Sequence, residues 1–200
     1  METASLKEYF LSAVEEALAR RKLDASVHSR AYLVDLLASF ARPEQLFRKF
    51  RYGFIEGEGL EPLGLKYFTA LQDSSKRVQT TQLKDLGDQC LFLTGYFYDY
   101  VRQQGIAYVE YHYTLGSTAY ASLGSRLQQE PVISELFGEL AGRFKDFCMV
   151  IGDMHLPELD NEKKLLDVYQ RWRKTLDERY ASLLLAKGCI LVQKEGKTMH

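Results

Sequence analysis

Charge of one sign is what this chain most lacks. Its 27 acidic and 26 basic residues nearly cancel over 200 positions, so no whole-chain field exists to recruit a polyanion or hold an anionic membrane surface. Nucleic acid is therefore not an expected partner. Long apolar runs are missing as well, and without an uncharged apolar stretch of about eighteen residues no membrane span is expected. The opening Met1-Glu2-Thr3-Ala4-Ser5 has neither the basic start nor the apolar run of a signal peptide, and the expected location is cytoplasmic. Cysteine is scarce: Cys90, Cys148 and Cys189 are odd in number and far apart, which fits reduced, buried thiols better than a disulfide framework or a metal site. No cofactor and no metal are expected. Only four prolines interrupt the chain, leaving little room for a long disordered tail.

What is present is apolar and aromatic. Hydrophobic residues make up 46% of the chain, with 13 Tyr and 11 Phe, and a chain of this length can bury about seventy per cent of its unfolded surface in one core. The expectation is an all-α, single-domain bundle of about seven to eight helices over residues 1–190, followed by a polar tail at 191–200.

The helices are read from their apolar spacing. Ser5-Leu6-Lys7-Glu8 has the form of a capping box, with Leu6, Phe10, Val14, Ala17 and Leu18 following at helical intervals. A second helix is expected over 26–41, burying Tyr32, Leu33, Leu36, Leu37 and Phe40, and Pro43 opens a short third with Leu46, Phe47 and Phe50. Four glycines and a proline between Gly53 and Gly64 demand a loop, after which Leu65 to Leu71 resumes a helix. Residues 80–101 leave almost no polar face, which marks the central helix of a bundle. The segment Ala107 to Tyr113 alternates as a strand does, yet Leu115, Ala119, Tyr120, Leu123 and Leu127 are spaced for a helix; helix is expected throughout. Single helices are expected from Pro131 to Ile151 and over 161–187, the latter about 40 Å long.

Candidate functional residues are few. Glu110, His112 and the tyrosines around them come first, since a titratable imidazole among aromatic rings offers base, metal- or haem-ligand, or phosphoacceptor chemistry. Asp88 lies in the most apolar helix, where a carboxylate must be paired, with Lys84 one turn back or with an imidazole or guanidinium on a neighbouring helix, and Asp88 with His112 is the first pair to test. Tyr96, Tyr111 and Tyr120 complete a candidate ligand-binding set with these two. Cys148 and His155 are only two potential ligands, too few for a metal site. Glu56-Gly57-Glu58-Gly59 would repel a phosphate, so it reads as a turn. No nucleophile and base converge, and no catalytic residue is assigned.

Two resemblances bear on function. His112-Tyr113-Thr114-Leu115-Gly116-Ser117 resembles the phosphoacceptor motif of histidine-phosphotransfer domains, although Leu115 stands where that family has lysine. More extensively, Gly87, Asp88, Leu91, Phe92, Gly95, Tyr96 and Phe97 resemble the Gly-Asp-x-x-Leu-Phe-x-x-Gly-Tyr-Phe core motif of a family of uncharacterised bacterial helical proteins. Tyr111, Gly116, Ala119 and Tyr120 carry a second run of that family, with His112 where an aromatic is expected beside Tyr111. The resemblance implies an all-helical fold and no activity. A non-enzymatic interaction or regulatory protein, with a protein partner or a second copy of itself, is the leading expectation. A small-molecule or tetrapyrrole binder with an aromatic pocket near His112 is the alternative, and a phosphotransfer protein is the third.

Overall fold

The computed structural model describes residues 2–42, 44, 63–154, 156, 157 and 159–191. The expected helix after Pro43, most of the Gly53–Gly64 loop, the Glu56–Gly59 turn, His155 and the tail from 192 lie outside them. Ten α-helices and no strand occur among the described residues. They are α1 (Glu2–Arg21), α2 (Val27–Phe40), α3 (Leu63–Gln72), α4 (Lys76–Tyr96), α5 (Tyr98–Gln103), α6 (Ile106–Arg126), α7 (Pro131–Gly142), α8 (Phe144–Asp153), α9 (Glu162–Thr175) and α10 (Glu178–Ala186). Residues 1–154 and 155–200 form two compact units.

In the first unit α4 and α6 make the central pair, with α3 and α8 on α4, α7 on α6, and α1 against α2 and α8. Every residue from Leu86 to Gly95 is buried, so α4 is the central apolar helix that its composition demands. The central pair approaches closely because glycine faces rings. A Cβ on Gly87 would run into the Tyr120 ring, and one on Gly116 would strike Phe144 and lie 2.7 Å from Cys90 Cβ. The strand-like stretch before Leu115 is helical: Val109, His112, Tyr113 and Gly116 are buried at intervals of three and four along α6, and tertiary packing overrides the local strand propensity.

The helix count exceeds the expected seven or eight because three long helices are each broken once, and α1 begins before Ser5 rather than at it. Phe97 leaves helical geometry between α4 and α5, and Arg143 does so between α7 and α8. The expected single helix over 161–187 divides at Leu176, whose φ of 51° is left-handed. Asp177 then caps α10, its carboxylate accepting the Arg179 amide at 2.9 Å and the Arg179 guanidinium at 2.7 Å. Asp177 followed by Glu178 is a helix-start signal, which the apolar stripe running across the break conceals. The second unit packs Leu159, Val168, Trp172, Tyr180, Leu183 and Leu184 together, and Asn161 caps α9 through Lys164 N at 2.9 Å.

Polar ties fasten the helices of the first unit at their ends. Arg21 at the end of α1 grips Asp153 at the end of α8 with two bonds of 2.6 and 2.8 Å. Glu139 of α7 accepts the Ser26 amide at 3.1 Å and the Ser29 hydroxyl at 2.7 Å, helping to cap α2 from outside. No helix among the described residues is long and apolar enough to cross a membrane.

Candidate functional site

Asp88 is the most demanding residue of the core. Its side chain is 1% exposed on α4, and an ionised carboxylate there requires several charge-stabilising donors. It has them from three directions. Tyr32 of α2 donates to Oδ1 at 2.5 Å. Tyr120 of α6 donates to the same oxygen at 2.8 Å. Lys84, one turn back on α4 and 44% exposed, places Nζ 2.7 Å from Oδ2 and 5.1 Å from the centre of the Tyr32 ring. Gly87 makes room for the Tyr120 ring beside this carboxylate. The sequence anticipates the Lys84 pairing but not Tyr32, which it shows only as one member of an apolar stripe.

Both tyrosines are neutral donors. Burial pushes the Tyr32 and Tyr120 phenols well above 10, and the negative charge of Asp88 pushes each further in the same direction. Two hydroxyls converging on one oxygen resemble an oxyanion hole, but here the oxygen belongs to the protein itself. The arrangement therefore holds Asp88 rather than a substrate.

His112 lies elsewhere. Tyr120 is eight residues further along α6, about 12 Å at helical rise, so Asp88 and His112 do not pair. The His112 ring is 2% exposed. Its Nδ1 sits 2.7 Å from the Tyr108 carbonyl, and because a carbonyl only accepts, Nδ1 carries the proton in the neutral ring. Burial lowers the proton affinity of the imidazole, and the Tyr108 hydrogen bond partly restores it. Tyr108 lies against the ring at 4.4 Å and Tyr111 presents its edge at 5.4 Å. Tyr111 in turn points outward, 42% exposed, and its hydroxyl accepts the Gly64 amide at 2.8 Å in the first turn of α3.

Tyr96 forms a third cluster at the end of α4, stacked 5.0 Å from Phe92, which stacks 4.2 Å from Phe40. The five candidate residues thus fall into three places: Asp88 with Tyr120, His112 with Tyr111, and Tyr96 at the end of α4.

The remaining sequence signals acquire packing explanations. Gly116 and Ser117, the two matches to the phosphotransfer pattern, seat Phe144 and donate to the Ala141 carbonyl at 2.9 Å. A buried His112 does not present its ring to a donor protein. Thr94 donates to the Cys90 carbonyl at 2.6 Å, which leaves Cys148 as donor to the Thr94 oxygen at 3.0 Å. Burial pushes Cys90 up to about 12 and Cys148 higher still, so both are inert thiols.

Among the described residues no group of three His, Cys, Asp or Glu side chains is placed to hold a metal ion. An open groove of about 470 Å³ runs between α6 and α7, lined by small residues such as Ala121, Gly124, Ser134 and Gly138. The Ser134 hydroxyl is engaged with the Gly124 carbonyl at 3.0 Å. No family model, curated protein or solved structure matches this chain.

Proposed function

We propose that this chain is a non-enzymatic, cytoplasmic interaction or regulatory protein, of the bacterial helical family that its Gly-Asp motif resembles. One observation carries the reading: the convergent polar side chains, Asp88 with Tyr32, Tyr120 and Lys84, are engaged with one another rather than aimed at an open site. Leu65 and Phe68, one turn apart on α3, stand exposed, which is where a partner protein or a second copy would gain apolar area. Light scattering on the eluting protein, with capture of partners from its host, tests the proposal. A concentration-dependent dimer or a reproducible partner lost in Phe68→Glu supports it; a strict monomer that captures nothing overturns it.

Ligand sites enclose most of the ligand's surface, whereas the groove between α6 and α7, on which a small-molecule reading would rest, is open. Its small, partly hydroxylated lining differs from the tyrosine pocket that a tetrapyrrole calls for. A colourless protein from which nothing is released on denaturation counts against this reading. Phosphotransfer has least support, and incubation with labelled acetyl phosphate tests it by whether His112 takes the label.

A further inference from the structure

Beside the contact that Tyr111 of α6 makes with α3 lies a titratable group that plays no part in the proposed function. His112 is buried with its single proton on Nδ1, committed to the Tyr108 carbonyl. The neighbouring residue, Tyr111, holds the start of α3 through the Gly64 amide, and the fit is tight, since a Cβ on Gly64 would lie 2.9 Å from the Tyr111 hydroxyl. The first amides of a helix have no partner within it, so an outside acceptor at this point stabilises the whole turn.

Among the described residues, the titratable groups around this corner include Tyr108, Glu110 and Tyr111 on α6, Tyr100 on α5, Cys90 on α4 and Lys66 on α3. Tyr100, Tyr111 and Cys90 act electrostatically on Tyr108, and Lys66 acts on Cys90. Glu110, the carboxylate on this stretch of α6, is exposed and, two residues from His112, lies on a different face of the helix, so none of these described groups faces the buried ring with a counter-charge. A second proton on His112 has either to remain buried without compensation or to bring the ring toward water.

We propose that His112 is a proton-sensitive latch for α3: charging its ring displaces the α6 segment that carries Tyr111 and thereby releases the cap that Tyr111 places on α3. The direction follows from the environment of the ring. An opened form binds the second proton near the ordinary histidine value of about 6.5, whereas the closed form resists it because the ring is buried. Acidification below that value favours the open form by up to about tenfold per pH unit. Glu139, which helps cap α2, is not responsible: burial raises its affinity for protons, but the Ser26 and Ser29 hydrogen bonds outweigh that and hold it below the ordinary carboxylate value, so it stays charged in this window.

Hydrogen exchange of the full chain, corrected for the intrinsic pH dependence of exchange, reads the latch between about pH 7.5 and 5.5. The expected result is that α3 amides lose up to about tenfold in protection per pH unit below about 6.5, while the centre of α4 holds. His112→Gln, which retains a donor but does not titrate, is expected to remove the response. Tyr111→Phe is expected to leave α3 weakly protected at both pH values. An unchanged acid response in His112→Gln, no response in the wild type, or equal loss in α3 and α4 overturns the proposal. Should His112→Gln fail to fold, the wild-type NMR titration decides: a Tyr111 ring signal that moves with the His112 midpoint supports the latch, and one that stays still as His112 titrates overturns it.

Discussion

Tyr32 and Asp88, 56 residues apart in sequence, share a hydrogen bond of 2.5 Å that joins α2 to the central helix. With Tyr120 on the same carboxylate oxygen, one buried charge binds three helices. Tyr32→Phe or Tyr120→Phe is expected to cost about 1.5–3 kcal/mol each, the range for hydrogen bonds to charged groups. The double variant should lose more than the sum, because each donor partly makes up for the loss of the other on the shared oxygen. Urea denaturation of the four proteins measures this; strict additivity contradicts a shared network.

The same cluster sets an alkaline limit. Both phenols have proton affinities raised above the unfolded value near 10, so the native state keeps protons that the unfolded chain gives up. The stability is fully present below about pH 10 and is lost as pH rises through and beyond that value, by up to about 1.4 kcal/mol per pH unit for each tyrosine. Unfolding followed between pH 9 and 11 should show a slope reduced in Tyr32→Phe and again in the double variant.

Glycines of the neighbouring helices should respond in opposite ways. Gly116→Ala puts a methyl group into the Phe144 ring and against Cys90, and overpacking of this kind costs about 1–3 kcal/mol. Gly138 lies inside α7, and a methyl group added there would meet nothing within 4 Å, so Gly138→Ala should be stabilising by about 0.5–1 kcal/mol through helix propensity. Thermal melts of the two variants on either side of the wild type verify both signs.

Leu176 holds a left-handed backbone with a bulky, exposed side chain. Leu176→Gly removes that strain, about 1 kcal/mol at a single position, and its melting temperature should be no lower than that of the wild type. A clear loss would mean that the leucine side chain stabilises the corner between α9 and α10.

How much of this was legible in the chain depends on distance. The all-helical class and the buried centre of α4 follow from local spacing, and the Lys84–Asp88 pair from its interval of four. Helix breaks were harder to see, since Phe97, Arg143 and Leu176 are ordinary residues inside continuing apolar stripes. The division after Met154 has no local mark that separates it from a helix stop before Pro157. Tyr32 was invisible as a partner because nothing local ties a tyrosine of α2 to a carboxylate of α4. For the same reason Asp88 and His112, alike in their aromatic neighbourhoods, could not be assigned to different places.

The clasp between Arg21 and Asp153 spans 132 residues, nearly the whole first unit. During synthesis at about 5–20 residues per second, α1 therefore waits roughly 7–26 s for its partner to be made. Until then, of the described helices that pack on α1, its apolar face, with Phe10, Val14 and Leu18, has α2 to lie against. The nascent amino-terminal hairpin thus passes through a stage without this clasp, and charge reversal at Arg21 should act later, lowering the stability of the folded first unit by leaving the buried Asp153 carboxylate against a like charge.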